Sequence, residues 1–232
     1  MRAVSCISGG LDSFAYAIVW HKRGYEINPI TFNYGQKAKK ELRVAKRLSE
    51  RLGFEKPVVI DLSSLRGIWR GTQLTDESVE VAKQYEPTVV VPIRNIVFLS
   101  IATAYAYTIN AQVVTYGAQL DDCQLTEEDN EPLYPDCTPS VAIMFESTVN
   151  LAHFPTGKRK VEIWSPAREG LTKDRVIKMA YEEVSDLLFE TWSCYRDGKL
   201  HCGRCKACVT RHEAFVKALG FDKTKYLNPA WE

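Results

Sequence analysis

The 232-residue chain lacks a charge excess of either sign. Thirty Lys and Arg residues face 29 Asp and Glu, leaving a formal net charge of +1. That balance speaks against a broad basic surface for long nucleic acids, although a local patch fits within it. No apolar run is read as approaching the roughly 18 residues needed to cross a bilayer. The opening Met-Arg-Ala-Val-Ser-Cys turns polar too soon for a secretory leader. The expectation is a soluble cytoplasmic protein. Internal repeats, low-complexity tracts and flexible linkers are also missing, so one domain with one substantial core and a small appendage is expected. Two phosphate-binding signatures do not occur: Gly-x-x-x-x-Gly-Lys-Ser/Thr and Gly-x-Gly-x-x-Gly.

What is present begins with Ser8-Gly9-Gly10-Leu11-Asp12-Ser13. It follows an apolar run, Ala3-Val4-Ser5-Cys6-Ile7, that reads as a buried strand. It precedes Phe14, Ala15, Ile18 and Val19, which read as the apolar stripe of a helix. Two glycines, two hydroxyls and a carboxylate therefore occupy a strand-to-helix turn. Free N–H groups and the helix dipole favour an anion at such a place, and glycine lets phosphate oxygens approach the backbone. The plain alternative is an ordinary tight turn with an Asp or Ser N-cap. The order of the residues favours the first reading: it resembles the PP-loop, Ser-Gly-Gly-x-Asp-Ser, of the ATP pyrophosphatases. That resemblance implies that Ser8, Gly9, Gly10, Leu11, Asp12 and Ser13 hold ATP while a nucleophile attacks the α-phosphorus.

Further along, strands are expected at 27–32, 57–61, 112–117 and 161–166. Pro29 points to a strand end in the first of these. Between them lie a helix striped with Leu42, Ala45, Leu48 and Leu52, then an irregular stretch over 62–90. An apolar helix over 96–109 has so few polar positions that burial on most sides is expected. Residues 118–137 form an acidic segment, of which 127–131 reads as a solvated loop. Helices over 139–151, 171–183 (with Thr172 as N-cap) and 209–219 complete the chain. Alternating strands and helices indicate an α/β fold with a parallel sheet and flanking helices.

Four of the seven cysteines fall within fifteen residues: Cys194, Cys202, Cys205 and Cys208. Four thiolates can complete a closed tetrahedral zinc site, which would fold a C-terminal extension too small for a core of its own. Cys-x-x-Cys-x-x-Cys is also iron–sulfur spacing, and free thiols are a third reading. His201 and His212 are nearby but unnecessary as ligands. Cys6 is expected in the core. The domain organisation is read as 1–190 for the α/β part and 191–232 for the metal-binding extension.

Together with Phe32-Asn33-Tyr34-Gly35-Gln36, Val91-Pro92-Ile93-Arg94-Asn95, Tyr134-Pro135-Asp136-Cys137, Leu171-Thr172-Lys173 and Thr191-Trp192-Ser193-Cys194-Tyr195, these motifs make the chain resemble the 7-cyano-7-deazaguanine (preQ0) synthases over nearly its whole length. The resemblance implies a Rossmann-like fold of the adenine nucleotide alpha hydrolase type. It implies conversion of 7-carboxy-7-deazaguanine, ATP and ammonia to the nitrile, through an adenylated carboxylate and an amide, in queuosine or archaeosine biosynthesis. It implies Asp12, Ser13, Arg94 and Lys173 as catalytic residues and Tyr34, Gln36, Arg94, Asn95 and Asp136 as substrate-binding residues. Mg²⁺ at Asp12, one structural zinc and a homodimer are implied as well, with no direct nucleic-acid or membrane partner. For several residues a structural role is the alternative: a helix cap for Asp12 and for Arg94-Asn95, a turn for Tyr34-Gly35-Gln36 and for Asp136, a surface lysine for Lys173. One departure stands out. Residues 118–133 are longer and more acidic than the family pattern, and Ala118-Gln119-Leu120-Asp121 replaces the polar residues expected after Gly117. The rivals are a tRNA thiolase or lysidine synthetase type of PP-loop enzyme, and a non-enzymatic zinc-ribbon binding module.

Overall fold

The structure is a computed structural model, and it describes residues 1–82, 86–126, 130–153 and 159–231. Apolar residues of period two and short length dictate five strands: β1 (Arg2–Cys6), β2 (Glu26–Asn33), β3 (Val58–Asp61), β4 (Val113–Thr115) and β5 (Glu162–Trp164). All pair in parallel, in the order β3-β2-β1-β4-β5. The helices are α1 (Leu11–Lys22), α2 (Lys40–Arg51), α3 (Arg94–Thr108), α4 (Pro139–His153), α5 (Lys173–Val184) and α6 (Lys206–Leu219). This is the expected parallel, Rossmann-like sheet with flanking helices.

Alternation along the strands feeds two cores. Ala3, Ile27 and Val113 face α1, α2, α5 and α6 on one side of the sheet. Val4, Ile30, Val114 and Ile163 face α3 and α4 on the other. Cys6 closes β1 as expected, and burial pushes its thiol up to about 12. The strand order reverses at β1, which has β2 on one side and β4 on the other. In open α/β sheets the crevice at such a switch point, beyond the strands' C-terminal ends, is where ligands bind.

Several local expectations change. Pro29 lies inside β2, not at its end. Ile27 O accepts from Glu55 N–H and Ile30 O accepts from Ile7 N–H. By alternation the Pro29 nitrogen faces the β3 side, one residue before that ladder begins at Ile30 opposite Val58, where a missing N–H is tolerated. The inner stripe of α2 is Val44, Ala45, Leu48 and Ser49. Helix α3 starts at Arg94 and buries only the face carrying Leu99, Ala102, Thr103 and Ala106; Ser100, Ala104 and Thr108 are exposed. The stretch Pro87–Thr108 is, at 22 residues, long and apolar enough by composition to span a bilayer, which corrects the reading that no run approaches that length. It is broken by a 3-10 turn at Pro87–Val89, and its helical part packs on the sheet. Among the described residues of 62–90, 3-10 turns lie at Ser63–Gly67 and Pro87–Val89 in an otherwise irregular stretch. In the acidic segment Leu125 and Pro132 form an antiparallel bridge. Glu127, Glu128 and Asp129 of the expected solvated loop lie outside the described residues.

The C-terminal extension shares a core with the sheet. Trp192, Cys194, Cys205, Cys208 and Phe215 pack in one cluster with α1, α2 and α5. Arg211, fully buried on α6, staples this region: it donates to Thr191 Oγ1 (2.8 Å), Ser193 Oγ (3.0 Å), Phe189 O (3.0 Å) and Thr224 Oγ1 (3.0 Å).

Candidate active site

The turn after β1 is held by its own hydroxyls. Ser8 N–H donates to Ser13 Oγ (3.2 Å), Gly10 N–H donates to Ser8 Oγ (3.1 Å), and the two hydroxyls lie 3.2 Å apart. Gly10 is the N-cap of α1 and no side chain caps the helix, so its first-turn N–H groups stay directed into the turn. Gly9 has φ +92, and a Cβ there would lie 2.2 Å from the Glu41 carbonyl oxygen. Gly117, just beyond β4, would place a Cβ 2.6 Å from Ser13 N. Glycine at both positions lets α2 and the β4 edge close on the turn.

Asp12 does not cap α1. Its carboxylate pairs with Lys173 Nζ, 2.8 Å to Oδ1 and 3.0 Å to Oδ2, across 161 residues of chain. Lys173 opens α5, and its own N–H donates to Asp121 Oδ2 (2.7 Å). Thr172 is the N-cap position as expected but makes no capping bond; Asp121 satisfies the helix start instead. Asp122 accepts from Gln119 N–H (2.8 Å). Burial, helped by the Asp12 charge, raises its carboxyl to about 6. The acidic segment thus brings two carboxylates beside Lys173 and Asp12.

Across the crevice, Tyr34 is buried against Trp69 and Phe98. Gln36 holds the turn that carries it. Gln36 Oε1 accepts from Tyr34 N–H (3.0 Å) and Nε2 donates to Phe32 O (3.2 Å). Both ends of the Gln36 amide are engaged within the turn, so it holds in place the turn that carries Tyr34. Arg94 Nη1 donates to Tyr34 Oη (3.3 Å), its only side-chain hydrogen bond among the described residues. Ile93 before it adopts φ 48, a left-handed conformation that is a strained outlier for a β-branched side chain. Asn95 N–H donates to Asp136 Oδ2 (3.1 Å), and Asn95 Nδ2 reaches Cys137 Sγ (3.5 Å). Asp136 therefore caps α3 from another loop. Burial pushes the Cys137 thiol well up, and Cys123 is raised in the same direction.

Two further residues reach the crevice that no role had been given. Tyr195 follows the first clustered cysteine and faces Tyr134, Arg94 and Asp12; burial raises its hydroxyl pKa. Glu41, in the first turn of α2, lies under the glycine turn, and burial raises its carboxyl to about 8 against the pull of Arg94. The Tyr195 motif was visible in the sequence, but nothing in it signals the fold-back that brings the residue to Asp12.

The four cysteine sulfurs lie within 4.8 Å of one another. Cys202 and Cys208 are 3.8 Å apart and Cys205 and Cys208 3.5 Å. A tetrahedral ion with Zn–S bonds of about 2.3 Å needs sulfur–sulfur edges near ~3.8 Å, so the set fits one zinc. A multi-iron cluster, with each thiolate on its own iron, would spread them further. Arg204 N–H (3.4 Å) and Cys205 N–H (3.3 Å) donate to Cys202 Sγ. His201 is turned to structure: its Nε2 accepts from Ser193 N–H (3.2 Å), its ring lies 4.2 Å from that of Trp192, and burial lowers its pKa to about 3. His212 pairs with Asp222 (3.1 Å). The extension meets the glycine turn directly, through Trp192 N–H to Gly9 O (2.9 Å).

A parallel sheet whose switch point gathers a glycine turn, a lysine–aspartate pair and an arginine defines an α/β enzyme built around a crevice ligand. The chain belongs to the QueC family: the family model described as "Queuosine biosynthesis protein QueC" matches residues 2–219. Relatives named 7-cyano-7-deazaguanine synthase are similar over almost the whole chain. The protein of Caldicellulosiruptor saccharolyticus is 36% identical over 231 residues, covering 97% of this chain and 96% of that one. That of Hahella chejuensis is 33% identical over 230 residues, with 97% and 93% covered. That of Methanocaldococcus jannaschii is 32% identical over 245 residues, with 98% and 100% covered. Family membership sets aside the tRNA-modifying and zinc-ribbon rivals.

Proposed function

We propose that this chain makes 7-cyano-7-deazaguanine from 7-carboxy-7-deazaguanine, ATP and ammonia. The observation that carries the reading is the Asp12–Lys173 pair beside the glycine turn, with Arg94 across the crevice. The turn's N–H groups and the Ser8 and Ser13 hydroxyls bind the terminal phosphates. Asp12, with Asp122 beside it, supplies the oxygen ligands a Mg²⁺ needs. With a metal at Asp12, Lys173 would be free to reach the phosphates. Arg94, whose only side-chain hydrogen bond among the described residues is to a tyrosine hydroxyl, is left for the substrate carboxylate. Attack of that carboxylate on the α-phosphorus gives an acyl-adenylate and pyrophosphate; ammonia displaces AMP to form the amide. A second activation, at the amide oxygen, allows loss of water to the nitrile. Fixed charge and positioning supply most of the rate. The Cys194, Cys202, Cys205 and Cys208 set holds a structural zinc.

A homodimer and a cytoplasmic site of action belong to the same reading. No direct nucleic-acid contact is required by it.

Mass spectrometry of reactions containing 7-carboxy-7-deazaguanine, ATP, Mg²⁺ and ammonium tests the proposal. We expect amide and then nitrile with the wild type, and neither product with Asp12→Ala or Ser13→Ala at unchanged zinc content. Undiminished turnover in both variants, or wild-type ATP use only with other acids, would sink it. Light scattering on the same preparation checks the dimer; a monomer mass at working concentration would exclude it.

A further inference from the structure

The outward face of a surface helix is ordinarily charged or polar. Helix α2 follows that rule and exposes Arg43, Lys46, Arg47, Glu50 and Arg51. Helices α3 and α4, on the other side of the sheet, do not. From Asn95 to Asn110 the sequence has no Asp, Glu, Lys or Arg. From Pro139 to His153 Glu146 is the one such residue, and it turns inward, accepting from Ile163 N–H (2.8 Å) and pairing with Arg168. Ala142 alone on α4 is fully buried, while Ile143 (48%), Met144 (70%) and Leu151 (68%) are exposed. The protomer's own core therefore leaves most of the apolar surface of α4 uncovered. The hydroxyls on this face are satisfied by their own helices. Ser100 donates to Ile96 O (2.8 Å), Thr108 to Ala104 O (3.0 Å), Ser147 to Ile143 O (3.0 Å) and Thr148 to Met144 O (2.9 Å). Such a face gives up little when it leaves water.

The relief of the face matches itself. On α4, Ile143 and Leu151 stand four residues to either side of Ser147, with Met144 beside them, and make an exposed ridge. On α3, Ser100, Ala104 and Thr108 make an exposed row of small residues at the same spacing of four, the spacing at which the ridge of one helix packs into the groove of another. The two helices are joined by Tyr107 Oη donating to Asn150 Oδ1 (2.9 Å). Between them runs an open groove of about 470 Å³, lined by Ser100, Thr103, Ala104 and Tyr107 of α3 and by Val149 and Ala152 of α4. We propose that the α3–α4 face is where two copies of this chain join about a two-fold axis, the ridge of each seated in the groove of the other; this rests on the homodimer reading given above. A two-fold axis sets a patch against itself. A patch with charge of one sign repels its own copy, and this uncharged one does not. Two 15-residue helices side by side present a face about 22 Å long and ~20 Å wide. That is the scale of the apolar centre of a standard interface, which covers ~800 Å² of each partner once its polar rim is included. A membrane surface fits the face less well. Neither exposed row carries Lys or Arg to meet anionic headgroups, and a flat apolar layer leaves the groove unfilled.

Sedimentation equilibrium on the full-length, zinc-loaded protein tests this, with far-UV dichroism as the measure of folding. The wild type should have the mass of two chains at micromolar concentration. Met144→Glu, Leu151→Glu and Ala104→Glu each place a charge at a position that is exposed in the single chain, where a surface substitution is tolerated. Each should raise the dimer dissociation constant at least ~100-fold with helix content unchanged. Lys46→Glu, on the charged face of α2, should leave the dimer intact. Dimers that persist in all three face variants, or that Lys46→Glu weakens equally, would overturn the assignment of this face while the homodimer reading stands. A wild-type mass of one chain would overturn the homodimer reading, and this face with it. Unfolding of all three face variants would place these side chains in the protomer's fold and overturn the interface. Flotation with phosphatidylcholine vesicles, with and without phosphatidylserine, is the last arm. Wild-type protein should stay with the soluble fraction; flotation that Leu151→Glu abolishes would assign the face to a membrane instead.

Discussion

Asp122 shows how one residue's protonation is tied to its neighbours. Burial, with the Asp12 charge near it, lifts its carboxyl from 3.8 to about 6. A carboxyl with a raised folded-state pKa binds its proton more tightly in the native than in the unfolded chain. The stability it contributes is therefore present below pH 3.8 and is lost as pH rises through about 6. Asn at this position can still accept the Gln119 N–H without carrying charge. Asp122→Asn should raise stability by on the order of 2 kcal/mol at pH 8 and by little at pH 4. Denaturant melts at the two pH values check this, and an equal gain at both would contradict it. At this scale the sequence was a partial guide. Ser8, Asp12 and Ser13 stand in one contiguous motif and could be read directly. Asp121 and Asp122 were read only as part of an acidic segment, because nothing local reveals that Lys173 will arrive beside them.

Elements meet at the glycine turn, and α2 is the one that makes glycine obligatory there. A Cβ at Gly9 would overlap the Glu41 carbonyl at 2.2 Å and the Ala45 nitrogen at 2.9 Å, in a backbone of φ +92 that alanine resists. Gly9→Ala should destabilise the fold by about 2 kcal/mol or more and weaken ATP binding beyond detection by calorimetry. Tight ATP binding with an unchanged melting temperature would show that α2 does not press on the turn. The strands and helices were legible because their periodicities are strong. Their junctions were less so. Arg94 was expected near a helix start, but the left-handed Ile93 that aims it carries no sequence signal, since β-branched residues rarely adopt φ 48. Gln36 read as a ligand contact, and it is the local return of its amide onto Phe32 and Tyr34 that makes it part of the turn.

For the whole molecule, the cysteine extension and the catalytic crevice are one body. Trp192 N–H donates to Gly9 O, Tyr195 faces Asp12, and Arg211 ties Thr191 and Ser193 to α6. Removing the metal should thus disturb more than the extension. Chelation, or Cys205→Ser, should lower the melting temperature by about 10 °C, as a loss of ~3–4 kcal/mol does in a domain of this size. It should weaken ATP binding in parallel. A metal-free protein with native melting and full nucleotide affinity would show the two regions to be independent. By itself the sequence determined the fold class, the glycine turn and the four-cysteine cluster, because each is written in residues close together in the chain: alternating apolar strands, a six-residue turn, four cysteines at short spacing. Only the tertiary structure decided which distant groups share the crevice. Lys173 reaches Asp12, Asp136 caps α3 and Glu41 slides under Gly9 because the strand order reverses at β1 and the loops beyond β1, β2 and β4 converge there. That convergence follows from how the sheet is wound, which no local stretch of residues records.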